Sequence, residues 1–211
     1  AVFLPQYDRR TSDTSHTFEP ILLKGRFMRI HLPLDEHTAR ALRAGDSVLL
    51  TGPMYVARDA AHKRLIALIE AGLPLPFPVA GETIYYAGPS PAPEGHVVGS
   101  IGPTTSGRMD RYTPALLDLG LRCTVGKGKR SPEVLASMRK NGAVYLGVTG
   151  GAAALAASCV RRVETICYED LGPEAVRRIW VEDLPAVVLA DSLGGDLYEL
   201  GRRRYRLPQE D

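Results

Sequence analysis

The chain is poor in the residues that build cross-linked or metal-held frameworks. Its cysteines, Cys123, Cys159 and Cys167, are odd in number and irregularly spaced. That speaks against a disulfide framework and leads us to expect a reducing, cytoplasmic setting. No Cys-x-x-Cys and no paired-histidine spacing occurs, so no metal site is expected in this chain. Three cysteines can hold an iron–sulfur cluster in principle, but Cys123 sits in an apolar, strand-like run, and buried thiols are the better reading. No apolar run approaches the ~20 residues of a membrane span. The first residues lack the charged-then-apolar layout of a secretory signal. An excess of charge is lacking too. Against 26 Lys and Arg stand 24 Asp and Glu, a formal net charge of +2, too small to argue for nucleic acid or an anionic membrane surface. There is no internal repeat, and no low-complexity tract beyond one proline run.

What is present is an ordinary globular composition, 45% hydrophobic and 24% charged over 211 residues, enough for one large core or two small ones. Residues 1–20 are polar and unpatterned and read as an arm, residues 21–200 as a single domain, and 201–211, with Arg202, Arg203 and Arg204, as a solvated tail. Strand-like mixtures run over 21–32. A short helix over 36–44 is stopped by Gly45, and Ser47–Val56 is a β-branched strand interrupted at Gly52-Pro53. Ala61, Leu65, Leu68 and Ile69 fall on one helical face within 58–70, with Gly72 as the stop. Arg58 opens that helix against its dipole, a cost that a nearby anion would relieve. Leu73-Pro74-Leu75-Pro76-Phe77-Pro78 is a rigid connector that could divide two halves.

Three strand–glycine loop–helix units then follow. Residues 96–101 read as a buried strand feeding a helix with Met109, Tyr112, Leu116 and Leu119 on its face. Residues 121–125 lead through Gly126-Lys127-Gly128-Lys129-Arg130 to a helix with Ser131 as cap, Pro132 at its first position and Gly142 as its stop. Residues 143–148 lead through Thr149-Gly150-Gly151 to a helix over 152–157. Such units imply a largely parallel sheet with helices on its flanks, and ligands of such sheets collect beyond the carboxyl ends of the strands. Further strands are expected over 161–167, 179–182 and 186–190. A short helix is expected over 172–178, and a hairpin turn at Ser192-Leu193-Gly194-Gly195-Asp196.

The loops carry the chemistry. Gly102-Pro103-Thr104-Thr105-Ser106-Gly107-Arg108 aims backbone N–H groups and hydroxyls at one point, as an anion site requires, and an arginine there can grip a carboxylate with two parallel hydrogen bonds. An ordinary capped turn explains the same local pattern equally well. The Gly126-Lys127-Gly128 loop is not a P-loop, since its glycine spacing is wrong. The flanking glycines still let the Lys127 ammonium approach a ligand closely. Lys129 and Arg130 read as solvated charges.

Taken together, the Gly102–Asp110 motif, Gly126-Lys127-Gly128, Arg58-Asp59-Ala60-Ala61-His62-Lys63-Arg64, Asp170-Leu171-Gly172-Pro173-Glu174-Ala175 and Val181-Glu182-Asp183-Leu184-Pro185-Ala186 give a specific combination. By these motifs the chain resembles the β subunit, or equivalent C-terminal domain, of class I iron–sulfur fumarate hydratases and L-tartrate dehydratases. The resemblance implies a swivelling β/β/α domain of α/β class. It also implies an α-subunit partner in an α2β2 heterotetramer, a [4Fe–4S] cluster held by that partner, and reversible dehydration of (S)-malate to fumarate. The family's cluster iron acts on the substrate as a Lewis acid. Arg58, Arg108, Lys127 and Thr105 are then expected to bind the dicarboxylate. Thr104 is expected in proton transfer, with its activating acid on the other subunit, and Lys127 could instead act on the leaving water or the developing enolate-like charge. Lys129 stands where many relatives have asparagine. Tartrate dehydration, mesaconate hydration and a non-catalytic anion-binding module are the alternatives.

Overall fold

The computed structural model describes residues 27–206, so the expected arm, residues 21–26 of the first strand region and the last five residues lie outside the described part. A seven-stranded mixed sheet organises the chain. Its strands are β1 (Met28–His31), β2 (Ser47–Val56), β3 (Thr83–Tyr85), β4 (Cys123–Gly126), β5 (Val144–Gly147), β6 (Val160–Cys167) and β7 (Val176–Ala190), in the order β1-β2-β3-β4-β5-β7-β6. Strands β1 to β5 pair in parallel. The long β7 runs antiparallel to β5, β6 and β2. Because β7 pairs with β2 as well as β5, strands β2, β3, β4, β5 and β7 close into a five-stranded, barrel-like ring, which removes two free edges.

Alternation along the strands builds two buried layers. Val48, Leu50, Val56, Tyr85, Cys123, Val125, Val144, Leu146, Val181 and Val188 share one cluster and fill the enclosed face. The intervening Tyr55, Ile84, Tyr86 and Tyr145 belong to a second cluster, with apolar residues of the helices α2 (Asp59–Glu70), α3 (Thr113–Asp118) and α4 (Pro132–Asn141). The remaining helices are α1 (Glu36–Ala41), α5 (Ala153–Ser158) and α6 (Leu197–Tyr205). The α4 signals act as expected. Ser131 Oγ accepts from Val134 N at 3.3 Å, and Gly142 closes the helix in the left-handed region at φ 64°. The mixed sheet with flanking helices matches the expected class, and the connector joins α2 to β3, which lies beside β2 in the same sheet.

Several expectations are corrected. Residues 96–101 are not a strand. Val97 is 49% exposed, Val98 and Ile101 are buried, and the backbone bonds of Gly99 and Ser100 go to Ser90 rather than to a ladder. The helix expected from Met109 is a 3-10 turn, Ser106–Met109, followed by α3, with Leu119 exposed. The expected helix at 172–178 is instead a 3-10 segment, Glu169–Glu174, broken at Gly172 and Pro173, and β7 begins at Val176. The two strands expected at 179–182 and 186–190 are one. Asp183, at φ 50°, absorbs the irregularity between them, and its N–H donates to Thr51 Oγ1 at 3.0 Å. The glycine turn at 192–196 is closed by a single antiparallel bridge, Ala190 to Asp196, with no second strand, and delivers the chain to α6. There the Asp191 carboxylate accepts the N–H groups of Ala44, Leu193 and Gly195.

Gly52 marks the register shift in β2. Its φ is +128°, and a Cβ there would lie 2.5 Å from the Leu32 carbonyl oxygen. Both the conformation and the space demand glycine. Gly52→Ala is expected to lower stability by about 1–3 kcal/mol, read as a shift in the urea unfolding midpoint. An unchanged midpoint would contradict the close approach.

Candidate functional site

The carboxyl ends of β2, β3, β4 and β5 lie at one edge of the ring, because these strands run parallel. Arg58 follows β2 and stands at the N-cap of α2. The 102–110 loop returns to the end of β3. Pro103 bridges Ala87, and Thr104 N donates to Tyr86 O at 2.7 Å. Thr105 in turn bridges Lys127 at the end of β4. Lys127 N donates to Thr104 O at 3.4 Å, and Ser106 N donates to Lys127 O at 2.8 Å. The Lys127 side chain runs beside the β5 loop. A Cβ built on Gly150 would lie 3.7 Å from Lys127 Nζ.

Arg58 and Arg108 meet on one carboxylate. Arg108 engages Asp59 through Nε at 2.9 Å and Nη2 at 2.8 Å, and Arg58 Nε lies 3.5 Å from Asp59 Oδ2. Arg58 Nη2 also pairs with Glu174 at 3.2 Å, while Ala60 N donates to the other Glu174 oxygen at 2.7 Å. The anion that an arginine at a helix start calls for is therefore supplied twice within the chain, by the adjacent Asp59 and by the sequence-distant Glu174. A Cβ on Gly88 would fall 2.9 Å from Arg58 Nη1, so the guanidinium lies where only glycine leaves room. Thus Arg58, Thr104, Thr105, Arg108 and Lys127 share one edge. Thr105, Arg108 and Lys127 are exposed there, and Arg58 and Thr104 are partly covered.

Two residues, one misjudged by sequence reasoning and one passed over by it, hold this edge together. Arg130 is not a solvated charge, since its side chain is fully buried. Its Nε donates to Asp110 Oδ1 at 2.7 Å, Nη1 to Thr124 Oγ1 at 3.1 Å and Nη2 to Thr113 Oγ1 at 2.8 Å. The guanidinium carbon lies 5.3 Å and 5.0 Å from the ring centroids of Tyr86 and Tyr145. Asp110 closes the link by accepting Ser131 N, so one ion pair ties the threonine loop to the start of α4. A buried cation needs such a partner set, but the basic run Lys127-Gly128-Lys129-Arg130 gave no local sign of which member turns inward. Lys129 stays at the surface, paired with Glu199 at 2.6 Å.

His62 is the second. It is fully buried, edge-on to Tyr86 and stacked on Tyr112. Its Nδ1 lies 2.9 Å from the Arg58 carbonyl oxygen, so Nδ1–H donates and Nε2 is left as an acceptor with no partner among the described residues. Burial pushes its pKa down from 6.5 to about 4, with the Arg130 charge acting in the same direction. The arrangement favours a neutral ring beneath Arg58.

The described residues contain no group of three His, Cys, Asp or Glu able to hold a metal. All three cysteines are free thiols. Burial raises Cys123 to about 12 and Cys167 to about 11, the reverse of what a thiolate ligand needs. Among the described residues, therefore, no group fits an iron–sulfur cluster. Nor is any described helix long and apolar enough to cross a membrane.

Comparison with known proteins adds the context. The family model described as Fumarase C-terminus matches residues 4–201. The chain is 44% identical over 156 residues to fumarate hydratase 2 of Leishmania major, covering 73% of this chain and 28% of that protein. It is 45% identical over 152 residues to the anaerobic class I fumarate hydratase of Escherichia coli, covering 71% and 28%. It is 38% identical over 172 residues to a putative L(+)-tartrate dehydratase subunit beta of Methanocaldococcus jannaschii, covering 79% and 88%. The chain thus spans only 28% of the length of these fumarate hydratases, but most of the tartrate dehydratase subunit.

Two expectations follow from the geometry. Arg130→Met leaves the Asp110 carboxylate partly buried without its cation and is expected to cost about 3–5 kcal/mol in urea unfolding; a loss within 0–1 kcal/mol, typical of a surface ion pair, would contradict its buried role. For His62, the unfolded chain takes up a proton below pH 6.5 while the folded chain does so only near 4. Stability therefore falls as pH drops through that window, by on the order of 3 kcal/mol at its lower end. His62→Phe should flatten this part of the stability–pH curve relative to wild type.

Proposed function

The chain belongs to the Fumarase C-terminus family, and from that premise we propose that it is the β subunit, or equivalent C-terminal half, of a two-part iron–sulfur hydro-lyase that interconverts (S)-malate and fumarate. The observation that carries the reading is the gathering of Arg58 and Arg108 on Asp59, beside the Thr104–Lys127 pairing. Arg58 and Arg108 are answered there by Asp59 and Glu174, and Lys127, at the end of β4 on the same edge, is exposed and adds positive charge for a small diacid. Each guanidinium carries five N–H donors, and Asp59 and Glu174 occupy only part of them. Charge-assisted bonds to a substrate carboxylate would contribute roughly 1.5–3 kcal/mol each. Thr105 adds an exposed hydroxyl at the same loop.

In this reading the chain binds and orients the dicarboxylate and handles a proton. Dehydration breaks one C–H and one C–O bond. Thr104 takes part in moving the proton from the carbon beside a carboxylate, and the acid that activates its hydroxyl belongs to the other half. The [4Fe–4S] cluster belongs there as well, consistent with thiols here whose pKa values burial raises, Cys123 fully enclosed and Cys167 partly so. When bound, such a cluster supplies Lewis-acid chemistry. The two-part arrangement is supported by the relative named a subunit beta, matched over most of its length. An α2β2 assembly, a cytoplasmic setting and a single unit over 21–200 that swivels against its partner complete the proposal. The same relative favours one second reading, L-tartrate dehydration, because an added hydroxyl would be recognised largely by the other half.

The test is the complex purified anaerobically with its cluster-bearing partner. Thr104→Ala is expected to lower malate turnover about 10²–10⁴-fold, and Lys127→Met to abolish it, while both variants still assemble. Near wild-type rates in both would defeat the reading. Turnover of tartrate but not malate by the wild-type complex would select the second one.

A further inference from the structure

We propose that Tyr198, on the C-terminal helix α6, is a positioning residue that fixes Lys127 for its carboxylate ligand; the proposal rests on the function given above.

The backbone around Lys127 is held at four points. Its N–H donates to Thr104 O at 3.4 Å, and its carbonyl accepts Ser106 N–H at 2.8 Å. The next residue, Gly128, has φ +83°, a conformation that glycine adopts without strain. The Gly128 carbonyl accepts the Tyr145 hydroxyl at 2.9 Å, and its N–H donates to the Tyr198 hydroxyl oxygen at 3.1 Å. Three of these four contacts come from the ring and its loops. The fourth comes from α6, whose later residues, 201–205, fall in the expected solvated tail.

The contact is built rather than incidental. Tyr198 N donates to the Asp196 cap at 2.9 Å, and Asp196 bridges Ala190 at the end of β7. Lys129 pairs with Glu199 at 2.6 Å, and its Nζ lies 5.9 Å from the Tyr198 ring centroid. Two neighbouring residues of α6 therefore grip the two residues that follow Lys127. Without the Tyr198 oxygen, the Gly128 N–H loses its acceptor, and the glycine is free to leave its left-handed conformation. Lys127 pivots on that peptide.

Tyr198→Phe in the complete complex is the experiment, with amide hydrogen exchange and calorimetric titration of succinate, a dicarboxylate without the leaving hydroxyl, as readouts. The expected result is faster exchange over residues 126–129, unchanged assembly, and a succinate Kd raised roughly 2–12-fold, the worth of one hydrogen bond. Malate KM should rise by a similar factor with kcat nearly unchanged, as for lost uniform binding. In a Lys127→Met background, Tyr198→Phe should change the succinate Kd less than about twofold. Unchanged exchange over 126–129, or equal weakening in both backgrounds, overturns the positioning role. If exchange rises as expected but even the wild-type complex neither binds succinate nor turns over malate, the hydro-lyase reading is what has failed.

Discussion

A single buried ion pair governs the candidate site. A guanidinium with no exposed side-chain surface survives only if most of its donors and its charge are met. Arg130 meets this demand with one carboxylate, two threonine hydroxyls and two tyrosine rings. These partners come from different parts of the chain: Asp110 and Thr113 follow the threonine loop, Thr124 and Tyr145 sit in β4 and β5, and Tyr86 lies just past β3. Satisfying Arg130 therefore fixes where the threonine loop sits relative to the lysine loop. Tyr145 adds a second tie: its hydroxyl donates to the Gly128 carbonyl and accepts from the Ser106 hydroxyl. The Arg130 cluster ties the two loops from within, and Lys127 and Arg108 face outward at the edge so held.

The strand directions explain why these loops share an edge at all. Parallel pairing of β2 through β5 sends each strand's carboxyl end the same way. The antiparallel β7 then closes the ring without adding a connection at that edge between the parallel strands. Its fifteen residues serve both β2 and β5. The 3-10 segment just before β7 brings Glu174 to the start of α2, so the strand that closes the ring also anchors the carboxylate that steadies Arg58.

How much of this could be read from sequence depends on how local the cause is. Ser131, Pro132 and Gly142 announced α4 because capping and left-handed closure are decided within a few residues. The break in β2 at Gly52 was legible for the same reason. Residues 96–101 misled because an apolar run signals burial, not pairing. Only two of those side chains reach the core, and the flanking turn binds its own backbone. Residues 183–185 fall in the gap between the two strands expected from sequence, yet the ring holds β7 continuous through them, since partners on either side outweigh the local penalty. Arg130 was illegible in principle: its neighbours Lys127 and Lys129 carry the same charge in the same loop, and what distinguishes it is a carboxylate twenty residues earlier. Arg108 and Lys127 were legible from their glycine-flanked loops, the binding role of Arg58 came from the motif resemblance, and the shared edge of the loops came from the parallel reading of the sheet.

The use of Asp59 bears on how such an edge works. Two arginines placed together in the absence of ligand repel one another, and the repulsion grows as water is excluded. Asp59 relieves that cost by sitting between them, and Glu174 takes a further share of Arg58. The arginines are thereby held in place before a ligand arrives, and a ligand need not order them. The same pairing limits how strongly the edge alone can attract a diacid, because part of each charge is already answered. The edge is also open, with Arg108 and Lys127 exposed to water that screens them. Under the proposed function both limits are lifted by the same event: closing the partner over this edge excludes water and strengthens every charge-assisted bond within it. A chain that orders its cations without enclosing them is what half of a shared site requires.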